Sequence, residues 1–332
     1  MKYNKHILLP MTLAMLSVTT SCEQEELAPA LPEGDFVEVR ARIGSHETRV
    51  AQPEDNKYVF EDGDKIHIIS WYDADSYNIY DQLDKFENPE KPGTYLWWDD
   101  AVSTYSKSTD RWHTTPYLRW QNIDLDGHPN PHHCFLAWYP EDFVESNAVL
   151  TAIPVTVTGD IKEDDYMFAR WFGQCPIYDN VIDLTFYHLM ARFDLHLNFG
   201  NQYTNVTDVV AKTEIATSGT LNLLEFNCVP VSGITAWQTF TPVNFWNKYD
   251  WSGTTICIPQ NVASLKVVLS FKADGQQKEL TYTHPRPILI EGKMRTRLVL
   301  EVGKDILELA DVTVTDWDTA PDIDGGEAEE EI

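Results

Sequence analysis

The stretch "ARFDLHLNF", residues 191–199, places Ala191, Phe193, Leu195, Leu197 and Phe199 on every second position, with Arg192, Asp194, His196 and Asn198 between them. A period of two belongs to a β-strand with one buried face, because successive side chains leave the pleat on opposite sides. Just upstream, Ile182, Leu184 and Phe186 hold the opposite parity. The pleat must therefore reset at a bulge or corner near His188–Met190.

The same alternation recurs in both directions from this stretch. "FVEVRARI" carries Val37, Val39, Ala41 and Ile43 on one face and Glu38, Arg40 and Arg42 on the other. "LKVVLSF" keeps Leu265, Val267, Leu269 and Phe271 in step, "RTRLVLEV" keeps Leu298, Leu300 and Val302, and "HCFLAWYP" is a short apolar run. These read as strands. Helical spacing is confined to Ile79, Leu83 and Phe86, a short helix capped by Asp75 or Ser76 and stopped by Pro89 and Pro92. Residues 87–132, rich in Trp, Asp, Ser and Pro, read as long loops with short strands. The pattern predicts an all-β protein of two sandwich-like domains, divided near residue 180 where "CPIYDN" punctuates the chain.

Composition limits the partners. The 332 residues carry 52 acidic and 25 basic side chains, net −27. A polyanion of that size repels phosphate backbones and anionic lipid, which disfavours nucleic acid and electrostatic membrane binding. The start of the chain has a basic head (Lys2, Lys5, His6), an apolar run from Ile7 to Val18 and small residues up to Ser21. That is the anatomy of a secretory signal peptide, and about 12 apolar residues are too few to span a bilayer core of about 30 Å. Loss of Lys2 and Lys5 with the signal takes the mature charge to −29. "LSVTTSC" resembles the lipobox of bacterial lipoproteins, which makes Cys22 the acylated residue and membrane anchor. Glu23, Gln24, Glu25 and Glu26 resemble the acidic patch that directs some lipoproteins to the outer face of the outer membrane.

Chemistry-bearing motifs are sparse. No G-x-S-x-G, H-E-x-x-H or phosphate-binding loop is present, and no carboxylate pair stands out among the 52, so no catalytic residue, metal or cofactor is assigned. His128, His132, His133 and Cys134 lie close in sequence, but His133 and Cys134 are neighbours on a strand and point to opposite faces. "YDADSYNIYD" and "DLDG" are oxygen-rich without the spacing of a calcium loop. Cys134, Cys175, Cys228 and Cys257 sit in apolar contexts without a close C-x-x-C frame and read as buried free thiols. Trp97, Trp98, Trp112 and Trp120 fall in the loop-rich part. They either anchor a minor core or, as the alternative function, stack on sugars in a glycan-binding surface lipoprotein.

Seven segments in order carry a family resemblance: the first strand (Phe36 to Ile43) with "TRV" after it, "FEDGDKIHI" (60–68), an aromatic stretch through Trp112 and Trp120, "CFLAWYP" (134–140), "DYMFAR" (165–170) before "LTFYHLMARFDL" (184–195), "EGKMRTRLVLEVGKD" (291–305) and "VTVTDW" (312–317). Together they resemble the fimbrillins, the type V pilins. The resemblance implies two transthyretin-like β-sandwich domains and a non-enzymatic role as a structural or accessory subunit of surface fimbriae at the cell outer membrane. It implies partners among other fimbrial subunits, the outer membrane through the lipid, and a ligand on a host or bacterial surface. It further implies cleavage by an arginine-specific protease after the first strand, with Arg49 the candidate rather than Arg42, which lies inside the strand pattern. Removal of Val37, Val39, Ala41 and Ile43 then opens a groove for a neighbour's strand. The domain plan is signal peptide 1–21, acidic linker 22–35, N-terminal sandwich 36–180, C-terminal sandwich 181–318 and acidic tail 319–332. Two departures stand out. His67 occupies a position where the family has a small residue, and "DTAPDIDGGEAEEEI" lacks the apolar alternation of a donor strand, so tip, accessory and anchor roles stand beside that of the stalk.

Overall fold

The computed structural model describes residues 36–44, 59–73, 98–120, 132–144, 150–174, 180–203, 205–247 and 250–317. Strands dominate it, as the alternation requires. Among the described residues the one helical element is a 3-10 turn, Gly200–Gln202, and no helix is long and apolar enough to cross a membrane. The helix expected around Ile79 lies outside the described residues.

Seven strands form the first sheet, in the order β1 (Glu38–Ile43), β8 (Val181–His188), β7 (Met167–Gln174), β5 (His132–Tyr139), β2 (Lys65–Asp73), β3 (Trp98–Ser106) and β4 (Arg111–Thr115). A three-stranded sheet, β12 (Asn227–Pro230), β11 (Ser218–Asn222) and β6 (Ile153–Thr156), joins strands from distant parts of the chain. A five-stranded sheet runs β14 (Thr241–Asn247), β15 (Asp250–Cys257), β9 (Ala191–Asn198), β20 (Met294–Val302) and β21 (Leu307–Asp316). It accompanies a four-stranded sheet of β13 (Thr235–Thr239), β10 (Val206–Ala216), β17 (Lys266–Ala273) and β18 (Gln276–Thr283), and a small ladder of β16 (Gln260–Val262) with β19 (Ile288–Ile290). By their contacts, the described residues fall in one compact unit.

The parity change upstream of Ala191 is a corner between sheets. Ile182, Leu184 and Phe186 of β8 point into one core with Phe60, Trp112, Trp120 and Phe135. After Leu189 and Met190 the chain enters a different sheet, where Phe193, Leu195 and Leu197 of β9 pack with Trp251, Leu269, Phe271, Leu298 and Leu300. The unbroken apolar run of β5 also has a reason. Phe135 and Ala137 face the first core, whereas Cys134, Leu136 and Trp138 face a third cluster with Ile153, Val155, Leu221 and Cys228. A strand covered on both sides has no polar face to show.

Two polar devices lie inside this apolar frame. Asp194, on the face of β9 opposite the core, is buried between Arg192 Nε at 2.9 Å and Arg295 Nε at 2.6 Å. Burial alone would raise its pKa; the two guanidinium groups and the Thr254 hydroxyl outweigh that and hold the carboxyl below its ordinary value. Turn chemistry sets the β17–β18 register: Asp274 and Gly275, both at positive φ, form the two-residue connection between the paired Ala273 and Gln276.

Candidate functional site: the first strand and its groove

The alternation of β1 predicts one apolar and one polar face, and the chain is folded that way. Val37 and Val39 are only 2 % and 3 % exposed, and Ala41 and Ile43 pack partly buried against the same core. The other face is solvated. Arg40 Nε lies 3.4 Å from Glu38 Oε1, and Arg42 Nε donates to Thr185 Oγ1 at 3.2 Å. The four residues expected on a removable strand are thus brought together on one face, over a floor made by Ile182, Leu184 and Phe186 of β8 and by Phe60 and Leu118. Phe60 meets Phe186 and Trp112 edge-on at 5.5 and 4.8 Å.

Pairing of β1 with β8 is parallel and runs in register from Glu38↔Val181 to Ile43↔Phe186. The ends are held by Glu38 N–H to the Asn180 carbonyl at 2.6 Å and Gly44 N–H to the Phe186 carbonyl at 2.8 Å. At its start Val37 N–H donates to the Leu118 carbonyl at 3.0 Å, Phe36 bridges Arg119, and the Arg119 guanidinium lies 5.2 Å from the Phe36 ring centre. A parallel pair cannot be joined by a tight hairpin. β1 therefore depends on a partner about 140 residues away in sequence, and nothing local holds its register. Without β1, the backbone groups of β8 and an apolar slot four side chains long would face water. That combination is what an incoming extended segment can satisfy, with backbone hydrogen bonds for affinity and alternate pockets for specificity.

Cys22 and Arg49, the expected lipid site and cleavage site, lie outside the described residues, as do Cys175, Trp97, His128 and "DLDG". β1 ends at Ile43, six residues before Arg49. Trp112 and Trp120 are buried in the first core, so they anchor it and offer no face to a sugar. His133 and Cys134 point to opposite faces, His133 meeting the Trp120 ring at 5.0 Å and Cys134 packing in the third cluster. Cys134, Cys228 and Cys257 are free and buried, and burial pushes all three thiols up, Cys228 to about 12. Among the described residues no three His, Cys, Asp or Glu side chains converge as a metal site.

One constellation has no counterpart in the sequence reading. His188 at the end of β8 places Nδ1 2.6 Å from Asp165 Oδ1, and its ring stacks on Trp317 at 4.3 Å and 9°. Each residue comes from a different quoted segment: "DYMFAR", "LTFYHLMARFDL" and "VTVTDW". The end of β21 is thereby fastened to the end of β8. Nothing in the local pattern of the three segments signals that they meet.

The strand count, the pairing and the packed cores define an all-β protein of stacked sheets. The fimbrillin-like family model matches residues 48–317, and the chain belongs to that family. The match begins beyond β1. Among solved structures, the chain is similar to a protein of Bacteroides uniformis with a proposed role in cell adhesion, at 15 % identity and TM-score 0.57, covering 86 % of this chain and 99 % of that one. A second such protein, from Bacteroides ovatus, is 14 % identical at TM-score 0.57, covering 85 % and 97 %. At these identities the likeness is one of fold. No curated protein sequence matches the chain.

Proposed function

We propose that this fimbrial subunit accepts a neighbour's strand into the groove that β1 fills. The protein is exported, acylated at Cys22 and held at the outer face of the outer membrane. An arginine-specific protease cuts after Arg49, and β1 leaves with its four inward residues. A strand from another fimbrial subunit then takes its place along β8. The observation that carries this reading is that the first strand seats two buried valines and two partly buried apolar residues in the core, yet has no hairpin to its partner. The start of the family match at residue 48, beside Arg49 and past β1, supports it as well.

β21 gives the subunit a polarity. It is hydrogen-bonded along β20 and fastened by Trp317, so it is not spare for donation. The polymer contact made through β1's groove is thus one of acceptance, at an accessory or end position of the fibre.

The test is intact-mass and N-terminal analysis of protein from the native cell surface, with and without an inhibitor of arginine-specific proteolysis. The expected mature start is Val50, shifting to acylated Cys22 under inhibition. A permanently acylated Cys22 with β1 retained would overturn the reading.

A further inference from the structure

The outer face of the four-stranded sheet carries a feature that strand exchange does not use. Trp237 on β13 is 41 % exposed, an unusual fraction for so large an apolar surface. The strand registers place Glu214 opposite Trp237 and Lys212 opposite Thr239, and the Thr213↔Val267 pair puts Lys266 next along from Glu214. Trp237, Glu214 and Lys266 therefore form a row across three strands, with Lys212 and Thr239 in the row beside it. Lys212 Nζ stands 5.3 Å from the indole centre and Lys266 Nζ 5.6 Å. Neither ammonium forms an ion pair with a carboxylate among the described residues. In a chain with 25 basic and 52 acidic residues, two lysines and one glutamate around one exposed indole leave a local excess of a single positive charge, against the sign of the whole chain.

The three groups match different parts of one ligand. The flat indole suits the C–H face of a pyranose. Lysine stems are long and flexible, so an ammonium that now rests against the ring can turn to a carboxylate, gaining a charge-assisted hydrogen bond in exchange for a cation–π contact. Glu214, whose Oε1 already accepts the Thr235 hydroxyl at 3.4 Å, has a second oxygen for a sugar hydroxyl. Its negative charge also disfavours densely anionic ligands such as phosphorylated or polysulfated chains.

We infer that this face binds a glycan ending in a carboxylated sugar, with Trp237 as the stacking platform and Lys212 and Lys266 as the carboxylate partners. The inference does not depend on strand exchange, since neither β1 nor β8 contributes to this face.

The test is saturation-transfer NMR on the full mature protein, with a sialylated trisaccharide as probe, lactose as its neutral counterpart and a peptide of residues 319–332 as an acidic protein segment. Saturable binding of the trisaccharide is expected, with magnetisation transfer strongest on the acidic sugar, at least about tenfold tighter than lactose and weakening with salt. Trp237→Ala should abolish it. Lys212→Gln with Lys266→Gln, two surface changes that leave the sheet intact by circular dichroism, should weaken it at least about tenfold. Equal binding of lactose, or binding unchanged in the lysine variant, would overturn the inference. So would saturable binding of the 319–332 peptide to this face without binding of the trisaccharide, which would assign it to an acidic protein segment.

Discussion

β1 and β21 are both edge strands of alternating sequence, and they are held in opposite ways. β1 buries half of its apolar face fully and half in part, yet its partner β8 is parallel and remote. β21 pairs antiparallel with β20 across a tight turn, where Gly303 N–H donates to the Ile306 carbonyl at 2.8 Å, and its far end is fixed by Trp317. Its inward residues are unevenly covered: Leu307 is buried and Val312 packs partly buried against the core, but Leu309 is 42 % and Val314 46 % exposed. Burial and permanence are therefore separate properties. A hairpin keeps its partner at high effective concentration whatever the side chains do, whereas a remote parallel strand lasts only as long as its side chains and its chain connection together hold it. Cutting at Arg49 would remove that connection for β1, and no other described strand lies before it.

The largest effect expected from this contrast comes from removing β1. Deleting residues 36–44 takes two fully buried valines, a partly buried alanine and a partly buried isoleucine out of the core, about 5 kcal/mol at the usual value per side chain. Chemical denaturation should show that loss, and a peptide of residues 36–44 added in trans should restore it in a saturable way. A deletion variant as stable as the parent would show that the groove closes on itself and accepts nothing.

Asp194→Asn probes the permanent side of the comparison. The substitution leaves Arg192 and Arg295 without their buried counter-charge and should cost about 3–5 kcal/mol. The sign of the pH dependence follows from a folded-state pKa held below the ordinary one. The stabilisation is fully present above the unfolded-state value of about 4 and is lost as pH falls through the lower folded value. Denaturation midpoints measured from neutral to acid pH should fall steeply in the parent and more gently in the variant. The β1 peptide should not rescue this variant, because Asp194 lies on the five-stranded sheet. Rescue would mean that the two regions are not independent.

The parts of this architecture that were legible in the sequence are those fixed by a period of two. Glu38–Ile43, Ala191–Asn198 and Met294–Val302 are all strands, within a residue of the alternating runs, and the parity change before Ala191 is a corner. "VTVTDW" is the last described strand, as its alternation required. Pairing was not legible, because a parallel partner about 140 residues away leaves no trace in local pattern. The buried setting of Asp194 was hidden for a related reason. Alternation assigns it to the polar face of β9, and only the parallel neighbour β20 brings Arg295 beside it and takes it out of water. The stack of Trp317 on His188 was hidden because it joins segments 129 residues apart, and Trp237 because a lone tryptophan on an edge strand looks the same in sequence whether covered or bare. The Asp274–Gly275 turn, by contrast, is written in two letters.

The smallest effect separates anchoring from burial within β1 itself. Gly44 ends the strand, and a Cβ there would lie 2.4 Å from Thr185 Cγ2 and 3.2 Å from Tyr187 Cε1, so a side chain must push the exit of β1 away from β8. Gly44→Val should cost about 1–3 kcal/mol, the usual range for overpacking, and should act on β1 alone. Hydrogen exchange is expected to speed up at the β1 amides while those of β20 and β21 keep their protection, since local opening raises exchange only in the segment that opens. Cleavage at Arg49 by a purified arginine-specific protease should then release β1 faster than from the parent. If exchange rises equally in β1 and β21, opening is global, and the first strand is no more separable from this fold than the last.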